Sequence, residues 1–229
     1  NTYIASEVIH YNDEMAEKGL APTGEKLDVN EIKSSSVMSK VVDKMGLTGI
    51  YSVDSLISRI KGLGLKFGIW YEPEMISPDS DLFRAHPDWY IHVPTRESSQ
   101  GRWQYVIDMS RQDVRDYLFN KMSEVLANND IDYVKWDFNR NITEAGSAIL
   151  PPEKQKEFFH RFILGTYELM DRILKAYPHL LLENCSGGGG RYDPGMMYFS
   201  PQIWCSDNTD ALSRVDIQFG SSLCYPASV

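Results

Sequence analysis

Short β-rich runs alternate with segments of helical period along most of this chain, and the runs tend to stop at charged, amide or glycine residues. The runs are Gly49 to Val53, Lys66 to Tyr71, Tyr105 to Ile107, Asp132 to Trp136, Leu180 to Glu183 and Gln202 to Cys205, with a weaker one at Ser222 to Tyr225. Between them Val114, Tyr117, Leu118, Met122, Val125 and Leu126 recur at helical spacing, with Ser110 as the expected N-cap and Asp113 three residues on. A second helix is expected over Glu153 to Tyr177, opening after Pro151 and Pro152 and carrying Phe158, Phe159, Phe162, Ile163, Tyr167, Leu169, Met170, Ile173 and Leu174. Shorter helices are expected over Asn30 to Met45 and Ser55 to Gly62, and an early strand over Thr2 to Tyr11. Strand and helix in alternation predict a parallel sheet built from βα units.

The polar clusters all follow strands. Lys66 to Tyr71 runs into Glu72 and Glu74, the strand ending at Trp136 into Asp137 and Arg140, the strand ending at Glu183 into Gly187 to Gly190, and the strand ending at Cys205 into Asp207 and Asp210. In a (β/α)8 barrel the loops after the strands converge at that face, where active sites lie. An open doubly wound sheet also binds ligands at strand C-termini, so the layout favours the barrel only modestly. The 229 residues suit one such domain, residues 1–229, since barrels of this class run to about 250 residues as single units.

With 23 basic against 32 acidic side chains the net charge is −9, which argues against nucleic acid or an anionic membrane as the main partner. A hydrophobic content of 42% excludes disorder. No apolar stretch approaches the roughly 20 residues of a membrane span, and Asn1 to His10 has no basic segment leading into an apolar run. Cys185, Cys205 and Cys224 are odd in number and lack CxxC spacing, so reduced thiols in a cytoplasmic protein are expected. The histidines form no HExxH or close pair, and no metal or other cofactor is expected.

Asp137 and Asp207 are the natural pair for acid, base or nucleophilic chemistry, seventy positions apart at the ends of two strands. Either could be a helix cap or a surface carboxylate. Lys135 lies two residues before Asp137 and points to the same face, where a cation favours the ionised carboxylate. A structural ion pair is the competing account. Trp70, Trp136 and Trp204 sit at strand ends, where indoles cover the apolar face of a sugar or simply fill the core. Alternation turns Trp136 away from Lys135 and Asp137, which assigns it to packing. The glycines at 187 to 190 lack GK[ST] and GxGxxG spacing, so close approach of a small ligand to bare backbone explains them better than a phosphate loop.

These motifs resemble the catalytic barrel of the family 36 glycoside hydrolases, the retaining α-galactosidases. The resemblance is carried by KFGIWYEPEMISPDSDLFRAHPDW (66 to 89), DMSRQDVRDY (108 to 117), DYVKWDFNR (132 to 140), LLENCSGGGGRYDPGM (181 to 196) and PQIWCSDNTDA (201 to 211), and extends over residues 58 to 228. It implies that Asp137 is the nucleophile and Asp207 the acid/base, in a double displacement that releases terminal α-galactose from a small-molecule galactoside. It further implies that Trp70, Arg102, Lys135, Cys185, Gly187 and Trp204 hold the galactosyl unit.

Residues 1–57 diverge from the family pattern. An aspartate pair and a Gly/Trp-rich stretch expected before the GLKFGIWYEPE strand are missing, and Asp54 would stand in for one of the pair. The resemblance therefore implies a (β/α)8 barrel reduced or incomplete at its early strands and last strand, whose exposed edges favour homo-oligomerisation. Two other readings stay open: a catalytically silent sugar-binding or structural fragment, and a galactosyl transferase of the same superfamily.

Overall fold

The computed structural model describes residues 53–225. It opens with α1 (Val53–Gly62), whose Leu56, Ile57 and Ile60 are buried at helical spacing. Then come β1 (Gly68–Tyr71), β2 (Met75–Ile76), α2 (Asp81–Ala85), β3 (Tyr105–Val106), α3 (Gln112–Asn128) and β4 (Tyr133–Asp137). A 3-10 turn over Pro152–Glu157 leads into α4 (Phe158–Ala176), followed by β5 (Leu181–Cys185), α5 (Pro194–Phe199), β6 (Gln202–Ile203) and α6 (Ala211–Ser222).

Four strands form one sheet in the order β1-β4-β5-β6, every neighbouring pair parallel. The α/β class and parallel sheet thus agree with the sequence. Of the expected eight-stranded barrel, the described residues contain these four strands. The expected strand at Thr2 to Tyr11, the helix at Asn30 to Met45 and most of the run from Gly49 lie outside the described residues.

Several local expectations are corrected. Val53 begins α1 rather than ending a strand. Tyr105 and Val106 pair antiparallel with β2, with Met75 opposite Val106, and so stand outside the parallel sheet. The weak run from Ser222 ends α6 and turns, because Leu223 and Cys224 donate back to the carbonyls of Gly220 and Ser221. Ser110 does not cap α3. Arg111 is the N-cap, and the Ser110 hydroxyl donates instead to Asp108 Oδ1 at 2.5 Å, since a fully buried carboxylate is the stronger acceptor.

The core lies between the sheet and the helices that follow its strands. Val134, Trp136, Leu182, Phe158, Phe162, Leu169, Met170 and Ile173 have no exposed surface, and each large apolar side chain so placed contributes roughly 1.5–3 kcal/mol. Helices α3 and α4 pack together, with Arg172 of α4 bonded to Asp116 of α3 at 2.6 Å. Gly165 lets α4 close on the Met109 carbonyl, since a Cβ there would lie 1.9 Å from that oxygen.

Candidate active site

Parallel register fixes which side chains share the face away from α4. Trp70 pairs with Lys135, Lys135 with Glu183, and Asp137 with Cys185. Trp136, pointing the other way, donates to the buried Glu74 at 2.9 Å, so its assignment to packing agrees with the structure.

Asp137 ends β4 and is 7% exposed. Its Oδ1 accepts the Phe138 N–H at 2.9 Å and its Oδ2 accepts the Trp70 indole N–H at 3.1 Å. The Cys185 thiol is pushed up to about 12, first by burial and then by the adjacent Asp137 charge, with a hydrogen bond between the two side chains acting in the same direction. Lys135 Nζ lies 3.4 Å from Glu183 Oε1 and 4.6 Å from the centroid of the Trp204 ring. Glu183 is buried, and its Oε2 accepts from the Tyr133 hydroxyl and, at 2.9 Å, from the Gln202 amide.

Asp207 lies in the loop after β6 and is exposed. The Trp204 indole N–H donates to its Oδ1 at 2.9 Å, and the Arg214 guanidinium sits 5.1 Å from the same ring. Two glycines in the loop after β5 take left-handed backbone, Gly187 at φ 52° and Gly188 at φ 85°. A Cβ on Gly188 would come within 3.1 Å of the Asp207 nitrogen, so the glycines allow this loop to rest on the one carrying Asp207.

A second set of contacts rims the site. Gly187 N–H donates to Asn139 Oδ1 at 3.0 Å, and Asn139 Nδ2 donates to Glu72 Oε1 at 2.8 Å. Arg102 Nη1 donates to the same oxygen at 2.9 Å. Burial pushes the Glu72 carboxyl up, opposed by the Asn139 bond and the Arg102 charge and reinforced by the charge of Asp137. Arg102 and Trp103 form the tip of a hairpin closed by reciprocal Gly101 and Gln104 bonds of 3.1 Å, at φ 55° and 61°. Left-handed backbone at non-glycine residues costs about 1–3 kcal/mol each and is held only where surroundings impose it. Beside the rim, a cavity of about 490 Å³ is lined by Gly101, Phe138, Asn139, Arg140, Ser186 and Gly187 among others.

Trp70, Lys135, Asp137, Cys185, Trp204 and Asp207 are thus joined by direct contacts or shared register. Gly187 and Arg102 connect to one another through Asn139 and Glu72. Asp54 is exposed in the first turn of α1 and takes no part in these contacts. Glu72, Asn139, Glu183 and Arg214 were not singled out from the sequence. Glu72 stands in the cluster after β1, and Glu183 is two residues before Cys185 on the same strand face, so strand alternation was the available signal for the latter. Among the described residues no cluster of His, Cys, Asp and Glu could hold a metal ion, and no helix is long and apolar enough to cross a membrane.

A parallel βα sheet with a buried carboxylate, a cation and indoles gathered at its strand ends has the layout of an α/β protein whose chemistry lies at the C-terminal ends of its strands. The chain belongs to the Melibiase family, whose sequence model matches residues 34–229. It is 58% identical over 176 residues to alpha-galactosidase AgaA of Geobacillus stearothermophilus, covering 77% of this chain and 24% of that protein. It is 55% identical over 166 residues to alpha-galactosidase 1 of Pediococcus pentosaceus, covering 72% and 23%. The crystal structure of AgaA, a GH36 alpha-galactosidase, superposes with a TM-score of 0.74 over 76% of this chain and 24% of that one. The alpha-galactosidase from Lactobacillus brevis gives 0.74 at 50% identity, covering 76% and 24%. The resemblance to family 36 therefore holds, and the chain spans about a quarter of the length of the curated relatives it matches.

Proposed function

We propose that this chain carries the glycosidic site of a retaining α-galactosidase acting on small molecules that end in an α-galactosyl unit. The observation that carries the reading is Asp137: a buried carboxylate at a strand end, fixed by the Trp70 indole and the Phe138 amide, on the same strand face as Lys135. The relatives are named alpha-galactosidases, and AgaA variants have been solved with raffinose and with stachyose.

Asp137 attacks the anomeric carbon while Asp207 protonates the departing glycosidic oxygen. A water then gives a proton to Asp207 and attacks the same carbon, releasing α-galactose and the Asp137 carboxylate. The first step uses Asp137 as the nucleophile and Asp207 as the proton donor. Trp70 and Trp204 border the sugar, Arg102 and Lys135 offer donors to its hydroxyls, and Cys185 and Gly187 line the same pocket. Asp54 belongs to the same proposal as a hydroxyl-binding group. In the retaining geometry the two carboxyl groups stand about 5–5.5 Å apart. The domain is read as one (β/α) barrel unit over residues 1–229.

Hydrolysis of a nitrophenyl α-galactoside tests this directly. Activity that disappears in Asp137→Asn supports the assignment, and wild-type turnover in that variant would end it. A second reading, a sugar-binding chain without turnover, draws on the exposure of Asp207. Galactose binding without hydrolysis would favour it.

A further inference from the structure

Glu72 stands at the exit of β1 with a side chain only 5% exposed. One of its oxygens, Oε1, serves two donors from different loops, Arg102 Nη1 at 2.9 Å and Asn139 Nδ2 at 2.8 Å. Asn139 spends its own oxygen on the Gly187 N–H. A single carboxylate therefore joins the hairpin tip, the exits of β1 and β4, and the glycine loop after β5.

Arg102 needs such an anchor. Its side chain is half exposed, its backbone is left-handed, and its hairpin is closed by one reciprocal pair of bonds. Among the described residues Glu72 is the carboxylate within ion-pair distance of it. A long side chain of this kind, if unanchored, loses much rotamer freedom each time it meets a ligand.

We propose that Glu72 is a positioning residue that holds Arg102 and Asn139 in place at the rim of the pocket, so that a galactoside meets donors already ordered. This rests on the galactoside reading above. Glu72 does not touch the reacting atoms in this scheme. Its contribution is to binding, and it acts through Arg102 and Asn139.

The test compares the chain with Glu72→Ala, Glu72→Gln, Arg102→Ala and the Glu72→Ala/Arg102→Ala double variant. Amide hydrogen exchange at Gly101 and Gln104 should quicken about tenfold in Glu72→Ala, the scale of one charge-assisted bond. With a nitrophenyl α-galactoside, KM should rise about tenfold in each single alanine variant and by much less than the product of the two in the double, with kcat within about twofold. Glu72→Gln keeps the size and one acceptor oxygen, so it decides the matter if the alanine variant does not fold, with a smaller change in the same direction. Unchanged exchange, additive KM effects, or a fall in kcat at constant KM would overturn the proposal. If the parent chain hydrolyses nothing, the functional reading fails by itself, and the exchange measurement still decides whether Glu72 anchors the hairpin.

Discussion

The Trp70 indole N–H reaches across the β1–β4 pair and donates to Asp137 Oδ2 at 3.1 Å, while Trp70 itself stands in register with Lys135. One strand thus supplies the cation and the carboxylate, and its neighbour supplies the group that orients the carboxylate. The second oxygen is held by the Phe138 amide. A backbone amide on one oxygen and an indole from the neighbouring strand on the other thus hold Asp137.

Removing the indole N–H while keeping an aromatic ring isolates that orientation. Trp70→Phe should lower kcat/KM for a nitrophenyl α-galactoside by about 10- to 100-fold, as expected for a hydrogen bond to a charged group. The circular dichroism spectrum should match the parent. Unchanged kinetics would show that Asp137 is oriented by Phe138 alone.

Cys185 should be inert where Cys224 is reactive. Cys185 is buried, and both its burial and the nearby Asp137 push its thiol up to about 12, whereas Cys224 is exposed. The thiolate is the nucleophile, so iodoacetamide at mildly alkaline pH should label Cys224 and spare Cys185. Peptide mass spectrometry of the labelled chain checks this, and equal labelling of the two would contradict the placement of Cys185 beside Asp137.

The face of each strand was legible because side chains alternate. That rule alone put Lys135 with Asp137 and sent Trp136 to the helix side, where it meets Glu74. The long apolar stripe of α4 was legible for the same kind of reason, through its helical period. What stayed hidden depends on partners far away in the chain. Tyr105 has the composition of any strand, and only its pairing with Ile76 takes it out of the parallel sheet. Ser110 has the chemistry of an N-cap, but its hydroxyl goes to Asp108, two residues back, whose burial and bond to Ser147 are set by distant parts of the chain. Glu72 and Glu183 look like ordinary post-strand and strand carboxylates until the hairpin brings Arg102 to the first and the register brings Lys135 to the second.

The buried pair of Glu74 and Arg191 should be costly to break from one side. Glu74 is fully buried and accepts from Arg191, including Nη2 at 2.7 Å, and from Trp136 and Thr166. Arg191→Met would leave that carboxylate uncompensated, and urea unfolding should register a loss of about 3–5 kcal/mol. Because Arg191 follows the glycine loop, the variant should also weaken galactoside binding. A loss below about 1 kcal/mol would mean that Trp136 and Thr166 suffice to satisfy Glu74.

Asp108 gives the chain a stability that declines with rising pH. It is fully buried, burial pushes its carboxyl above the ordinary range, and the Ser110 and Ser147 hydroxyls only partly offset this. The folded state therefore binds its proton more tightly than the unfolded state does. Its contribution is complete below the ordinary carboxylate value of about 4 and is lost as pH rises through the raised value in the folded chain. Glu72, also pushed up by burial, acts with the same sign. Asp108→Asn removes the titration and keeps an acceptor for the Ser110 hydroxyl, while its NH2 meets the Ser147 hydroxyl, which can accept. Between about pH 4 and about pH 7 the urea midpoint of the parent should then decline relative to that of the variant, the other carboxyls contributing equally to both. Parallel slopes in the two proteins would show that Asp108 is ionised throughout, with its two serine bonds outweighing its burial.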